Sequence, residues 1–194
     1  SGMTSASKVS VSAMRRLIEH ANPLITSLFD PEPPLFLPAA LSLSDIRIFD
    51  ANFAPTDGYC LLLITEGRGF LEFTKNTAQN ITKDDTDHNN FDHYSLKKYS
   101  LFFFPLSKRW RLYLENAPWK FYLFFLSGSS ISYYNKLFSD SVKEPFVISG
   151  SSMLPVQLSH LYDALSNCKN DPLWLDEQLT SLLCLTIKEA RCHA

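Results

Sequence analysis

The sequence predicts a mainly β protein with helices at both ends of its 194 residues, and two observations favour this class. First, the chain is rich in aromatic residues, with 15 Phe, 8 Tyr and 3 Trp, and many of them lie between Phe91 and Phe138. Aromatic enrichment is typical of pleated, half-buried strands. Second, short apolar runs bounded by turn residues recur between Ser44 and Ser127, as in a sandwich or a small barrel.

A helical repeat comes first in the chain, between Val9 and Phe29. Apolar residues recur there at spacings of three and four, which predicts an amphipathic helix interrupted at Pro23. The prolines that follow Asp30 end this helix, because they bias the chain to extended forms. Residues 1–40 are therefore expected to form an N-terminal helix and a Pro-rich arm.

Residues 41–150 are expected to form the β-rich domain. Glu66-Gly67 predicts the tight turn of a hairpin, and Gly69 predicts a bulge or a close backbone approach. The polar stretch 75–93 is expected to be a long acidic loop. The predicted strands are Asp45–Phe53, Gly58–Thr65, Arg68–Phe73, Tyr94–Leu96, Leu101–Phe104, Trp110–Glu115 and Trp119–Ser127.

Helical periodicity returns in the last part of the chain. A short helix is expected at Ile131–Phe138, and residues 151–194 are expected to form an antiparallel helix pair turning at Asp171-Pro172. The last helix is apolar over two adjacent faces, which favours burial against a second copy of the chain. The residues expected to carry this homodimer are Leu175, Leu179, Leu182, Leu183 and Ile187.

Charge and composition exclude several classes of function. The formal net charge of -2 provides no overall field for nucleic acid. No apolar run approaches the roughly 20 residues of a membrane span. The four cysteines lack a CxxC pair, which favours free thiols in a reducing cytosol over disulfides. We therefore expect a cytoplasmic protein that does not itself contact DNA or a membrane.

Motifs for catalysis or metal binding are absent from the sequence. The five histidines form no His-Xaa-His pair, Ser127-Gly128-Ser129 lacks the flanks of a nucleophile elbow, and no Gly-rich phosphate loop occurs. We accordingly expect no enzyme activity, no metal and no cofactor.

The strand after Arg109 offers a candidate ligand site, because polar and apolar residues alternate along it. Either Trp110 and its apolar partners fill the core and the arginines face water, or the polar row faces a cavity. The next strand could likewise supply a stacking platform or plain core packing. The candidate ligand-binding residues are Arg109, Arg111, Tyr113, Trp119 and Phe121, with Tyr59 and Arg47 as weaker candidates.

An ordered series of motifs resembles the N-terminal domain of AraC-type transcription regulators. It comprises Gly58-Tyr59 with Leu61–Gly69, then Leu96–Lys98 into Leu101-Phe102-Phe103-Phe104-Pro105, and then Pro118–Tyr122 with Phe124–Gly128. The resemblance extends from about Asp45 to Arg191. It implies a cupin-like β-barrel or jelly roll that holds an effector, followed by dimerising helices.

The same resemblance implies two helix-turn-helix motifs after the helix pair, and these are not in the 194 residues. Many family members carry a histidine where this chain has Arg109, so the resemblance implies a metal-free pocket whose inward-facing side chain is an arginine.

These observations predict an effector-sensing and dimerisation domain of an AraC-type bacterial regulator, whose DNA contact lies in a missing domain. The expected effector is a small molecule, a sugar or an anion. The alternative is a metal-free cupin enzyme, an isomerase or epimerase acting on a sugar, in which Tyr113 or Tyr122 supplies half of an acid–base pair. A third reading is a dimerisation domain whose cavity is filled by phenylalanine side chains.

Overall fold

The structure is a computed structural model that describes residues 32–75, 90–167 and 171–194. The expected N-terminal helix and residues 76–89 of the acidic loop lie outside these ranges. The described elements are β1 (Phe36–Asp45), β2 (Phe49–Phe53), β3 (Tyr59–Thr74), β4 (Phe91–Leu96), β5 (Ser100–Pro105), β6 (Trp110–Ser127), α1 (Ile131–Ser139), β7 (Phe146–Val147), α2 (Leu154–Asn167) and α3 (Pro172–His193).

All seven described strands belong to one antiparallel sheet, which confirms the mainly β class with helices. Strand β6 is the centre of the sheet: β3 pairs along one edge of it, and β1 and β2 share the other edge. Strands β4 and β5 pair with the far edge of β3, and β7 follows β5. Within the described ranges β1 and β7 do not pair, so the sheet is not closed into a barrel.

The hairpin expected at Glu66-Gly67 is wrong. Strand β3 continues through this dipeptide and stays paired with β6 on both sides, at Ile64↔Phe121 and Arg68↔Glu115. Gly67 has φ +90°, and a Cβ placed on it would lie 2.6 Å from the Cβ of Trp119. A glycine is needed here for an irregularity inside a paired strand, and not for a chain reversal.

Gly69 makes the close backbone approach that the sequence predicts. A Cβ at this position would lie 1.8 Å from the carbonyl oxygen of Tyr113 on the neighbouring strand. Register shifts on either side of Glu66, together with the close approach at Gly69, let two long strands remain paired while their course changes.

Several other strand boundaries differ from the prediction, and β4 begins inside the stretch expected to be the acidic loop. The expected strand Asp45–Phe53 is the end of β1 and the whole of β2, separated where the Asp45 carboxylate accepts a hydrogen bond from the N–H of Ile46. Strand β1 begins within the segment expected to be a Pro-rich arm. The two strands expected on either side of Pro118 form one continuous strand, β6.

Burial along β6 explains how the sheet is covered. Trp110, Leu112 and Leu114 are buried and alternate with partly exposed residues, so one face of this half meets the core. From Phe121 to Leu126 every residue is buried, because this half is covered on both faces. Tyr122 packs against Tyr162 of α2, whereas Phe121 packs against Phe49 of β2.

The C-terminal helices lie where their periodicity predicts them. Helix α1 spans the expected segment, and α3 begins at a cap in which the Asp171 side chain accepts from the N–H of Leu173 at 3.1 Å. Pro172 occupies the first turn, where the missing N–H has no consequence.

Candidate ligand-binding recess between β3, β4 and β5

The polar row of β6 lies on the outer, solvent-facing side of the sheet. Arg111 donates two hydrogen bonds of 2.8 Å to Asp50 on β2, from Nε and Nη2, and its Nη1 lies 3.7 Å from Glu72 on β3. The hydrogen bond to Asp50 and the nearby carboxylates raise the pKa of Arg111. Its guanidinium is therefore already occupied by acidic groups of the same chain.

Aromatic rings complete this outer-face cluster. Phe70 and Tyr113 stack with centroids 4.8 Å apart, and the Arg111 guanidinium carbon lies 5.0 Å from the Phe70 centroid and 5.5 Å from that of Tyr113. Such stacking fixes the guanidinium. Arg111 and Tyr113 thus lie together, on an open face and not inside a cavity.

The other sequence-predicted ligand residues are dispersed. Trp119 and Phe121 are buried in the core, with 3% and 0% exposure, and their rings stack on each other. Arg109 is exposed, and its carbonyl accepts from the N–H of Thr74. The carbonyl of Arg47 accepts from the Trp119 indole, and Tyr59 packs near Phe103.

The enzyme alternative takes either Tyr113 or Tyr122 as half of an acid–base pair, and the two lie in different parts of the fold. Tyr113 stacks on Phe70 at the outer face, and Tyr122 packs edge-on against Tyr162 under α2. They do not line a common cavity among the described residues.

All five residues expected at a dimer interface are buried within the single chain, as each is at most 5% exposed. The second apolar face of α3 is covered by the chain's own sheet and helices. The exposed positions of α3 include Leu173, Cys184 and Lys188.

A ligand-sized recess opens elsewhere, at one end of the inner face of the sheet. Its volume is about 160 Å³, and strands β3, β4 and β5 and the segments after β5 and α1 contribute to it. The lining residues are Phe73, Asp92, Tyr94, Phe102, Phe104, Pro105, Ser107, Lys108 and Lys143.

Four aromatic rings form the wall of the recess. Phe73 meets Phe104 edge-on at 5.0 Å, and Phe102 stacks on Phe104 at 5.4 Å. Tyr94 closes the group at 6.3 Å from Phe73. Behind them, Trp110 packs edge-on against Phe104 at 5.2 Å, so the wall is an extension of the core.

Charged groups surround the mouth of the recess. Lys108 and Lys143 are exposed, and the Lys143 ammonium donates to the carbonyl of Ser139 at 2.9 Å. Asp92 lines the same opening, and burial together with Asp92 and Glu144 raises the pKa of Tyr94. In the described ranges no carboxylate lies within salt-bridge distance of either lysine.

This combination suits one kind of ligand. A cavity of about 150 Å³ holds a benzene-sized molecule, and an aromatic wall favours a flat ring. The two ammonium groups favour a carboxylate on that ring. The recess is chemically suited to a small aromatic acid.

No contiguous pattern in the sequence marks the residues of the recess. Phe102 and Phe104 are typical of a buried strand, and the proline corner at Pro105 before Lys108 is a local signal for a turn only. Lys143 comes from a mixed segment after α1. The pairing of β3 with both β4 and β5 brings the strand residues together, and the packing of α1 on β5 adds Lys143.

The described residues offer neither a metal-binding cluster nor a membrane-spanning helix. No group of three or more His, Cys, Asp or Glu side chains is arranged to hold a metal ion within residues 32–75, 90–167 and 171–194. Among the described helices, none is both long enough and apolar enough to span a bilayer.

Comparison with known proteins gives structural likeness without sequence relatives. No protein-family model and no curated protein matches the chain. The AraC-like transcriptional activator CuxR is 11% identical over 78% of this chain and 51% of its own, with a TM-score of 0.48. ToxT from Vibrio cholerae is 11% identical over 81% and 58%, with a TM-score of 0.41. Peruvianin-I, a cysteine peptidase from Thevetia peruviana latex, is 15% identical over 49% and 51%, with a TM-score of 0.34. The chain thus spans between 51% and 58% of the length of these three structures.

Proposed function

We propose that this chain is the effector-binding domain of an AraC-type transcription regulator and that its effector is a small aromatic carboxylate. The observation that carries the proposal is the aromatic recess beside Lys108 and Lys143, where the core opens to solvent. The ordered motifs between Asp45 and Arg191, which resemble the sensor domain of that family, support the regulatory role.

A series of ring contacts links the recess to the end of α3. Phe102 lies 6.2 Å from Phe138 of α1, Phe138 lies 6.1 Å from Phe146, and Phe146 stacks on His193 at 4.6 Å. Because these rings are packed in series, a ligand that moves the Phe102 ring displaces neighbours as far as the end of α3. In the proposal, the DNA-binding domain is connected to the end of α3. A ligand that binds one arrangement of these rings more tightly than another then regulates that domain.

The proposal includes dimerisation, but through a surface other than the α3 residues that the sequence predicts. The leucines of α3 from Leu175 to Leu183 are buried within the chain, so a second copy would have to contact the exposed faces of the helices. Exposed apolar residues there include Val156 of α2 (45%), Met153 just before α2 (63%) and Leu173 of α3 (76%). Contact with DNA is proposed to lie in a separate domain of the regulator.

Calorimetric titration with benzoate tests the ligand class. Benzoate has about nine non-hydrogen atoms, and at roughly 0.45 kcal/mol per atom it should bind with a Kd of about 1 mM. The neutral isostere benzamide should bind at least about fivefold more weakly, because it offers no charge to the two lysines.

Matched variants locate the binding. Replacing both Lys108 and Lys143 by alanine should weaken benzoate binding about tenfold, whereas Lys188→Ala on the exposed face of α3 should leave it unchanged. Equal binding of benzoate and benzamide, or full binding by the double variant, would refute the assigned ligand class.

A further inference from the structure

A second cleft lies between α2 and the sheet and shares no residue with the recess. Its volume is about 400 Å³, within the range of small-molecule sites. Strands β3 and β6, the turn between β4 and β5, and the first two turns of α2 form it. The lining residues are Thr65, Glu66, Lys98, Tyr99, Lys120, Tyr122, Pro155, Val156, Ser159 and His160.

Two lysines give the cleft its charge. The Lys98 ammonium lies 5.1 Å from the Tyr99 ring centroid, and the Lys120 ammonium lies 5.6 Å from that of Tyr122. No described carboxylate lies within salt-bridge distance of either lysine. Both ammonium groups therefore keep their capacity to donate to an anion.

The turn that carries Lys98 has a strained backbone. Tyr99 is the one described non-glycine residue with positive φ, at 68°, a conformation that costs free energy and is common at functional sites. Its N–H donates to the carbonyl of Ile64 at 2.6 Å, and its carbonyl accepts from the N–H of Ile148 at 3.0 Å. The backbone beside Lys98 is thus fixed from both sides.

The remaining groups around the cleft fit the same ligand. His160 on α2 adds an imidazole ring beside the two ammonium groups, and Ser159 on the same helix adds a hydroxyl. Pro155 and Val156 place the cleft beside the N-terminal turn of α2, where the helix dipole favours negative charge. Among the lining residues Glu66 alone carries a negative charge, and it is opposite Lys120 in the strand register.

We infer that this cleft is a binding site for a phosphorylated small molecule, a phosphate monoester with a compact polar body. The dianionic phosphate lies between Lys98 and Lys120, and the body of the ligand lies against the tyrosine rings and His160. The bound ligand joins the sheet to the first turns of α2.

Replacing Glu66 tests the inference through the direction in which the binding affinity changes. Its carboxylate opposes an anion in the cleft, so Glu66→Gln should tighten binding about threefold or more. Lys98→Ala and Lys120→Ala should each weaken binding about threefold to tenfold. These three side chains lie at the surface or are partly exposed, so the fold should tolerate their replacement.

The experiment is a calorimetric titration of the full chain with ribose 5-phosphate, beside ribose at the same concentrations. Ribose 5-phosphate should bind and ribose should not, and the phosphate ester should slow amide hydrogen exchange in residues 154–160. Lys136→Ala, which removes an ion pair with Asp140 on α1, is the control and should not change the affinity. Benzoate should still bind when the cleft is saturated, because the two sites share no residue.

The inference is overturned if ribose 5-phosphate binds no better than ribose. It is equally overturned if Glu66→Gln and Lys120→Ala shift the affinity in the same direction, since a charge-selective site requires opposite shifts. Binding of inorganic phosphate with the same opposite shifts supports the site, because the recognised group is then the phosphate itself.

Discussion

At the scale of single residues, Cys60 shows how fully the inner face of the sheet is closed. Its thiol lies near the start of β3 with no exposed surface, between core residues of β5 and β6. Burial raises the pKa of this thiol well above its ordinary value of 9.0. Cys184 and Cys192, by contrast, are exposed on α3.

We expect alkylating reagents to distinguish these thiols. At pH 8, iodoacetamide should modify Cys184 and Cys192 within minutes, whereas Cys60 should react only at the rate of global unfolding. Mass spectrometry of tryptic peptides measures the three rates separately. Modification of Cys60 as fast as that of Cys184 would show that the inner face is open.

The same burial predicts a dependence of stability on pH. The folded state keeps the Cys60 proton at a pH where the unfolded chain releases it, so this contribution is complete below about pH 9 and is lost as pH rises. Urea unfolding at pH 7.5 and pH 10 should show wild type losing roughly 1 to 1.5 kcal/mol more than Cys60→Ala. An identical loss in both proteins would contradict the raised pKa.

At the scale of elements, α3 is stabilised by its own chain. Leu179 and Leu182 are fully buried, whereas Leu173 on the same helix is 76% exposed. An apolar residue gains stability from the contacts that cover it, so the wide apolar stripe of α3 is explained without a partner.

Leucine truncations along α3 test this assignment. Leu179→Ala should lower the free energy of unfolding by about 3 kcal/mol, through lost burial and a cavity, and Leu173→Ala by less than about 0.5 kcal/mol. Urea denaturation gives both values, and sedimentation gives the oligomeric state. If Leu179→Ala keeps full stability and dissociates a dimer, α3 is an interface after all.

Local signals were sufficient for the helices and insufficient for strand connectivity. Periodicity, the cap at Asp171 and Pro172 are contiguous in sequence, so α2 and α3 could be predicted. Gly67 suits a hairpin turn and a bulge equally, because both use glycine for the same positive-φ conformation. Only the register of β3 against β6, set by residues about 50 positions away, distinguishes the two.

The candidate site was less accessible to prediction for a related reason. The alternation along β6 correctly separates polar Arg111 and Tyr113 from apolar Trp110 and Leu112, but alternation alone does not say which row faces inward. The recess combines side chains from Phe73 to Lys143. Their proximity follows from the sheet topology and leaves no local pattern in the sequence.

At the scale of the whole molecule, the ring contacts from Phe102 to His193 connect the recess with the end of the chain. Phe146 is the middle of this series, since it touches both Phe138 and His193 and is 5% exposed. Packed side chains of this kind carry coupling only if they have two arrangements that a ligand distinguishes.

Hydrogen exchange measures this coupling. Saturating benzoate should slow amide exchange in residues 187–193 of the wild-type chain, and Phe146→Leu should abolish that slowing while benzoate still binds. If benzoate still slows amide exchange in Phe146→Leu, the ring contacts through Phe146 do not carry the coupling.

The most direct measurement of the central claim is a reporter assay with the chain fused at its C-terminus to a DNA-binding domain. Adding benzoate should change transcription from a promoter with that domain's operator, in wild type and in Lys188→Ala alike. The variant with both Lys108 and Lys143 replaced by alanine should lose the response at the same benzoate concentration. A response of full size in the double variant, or none in a wild-type fusion shown by calorimetry to bind benzoate, would contradict a ligand-sensing role for the recess.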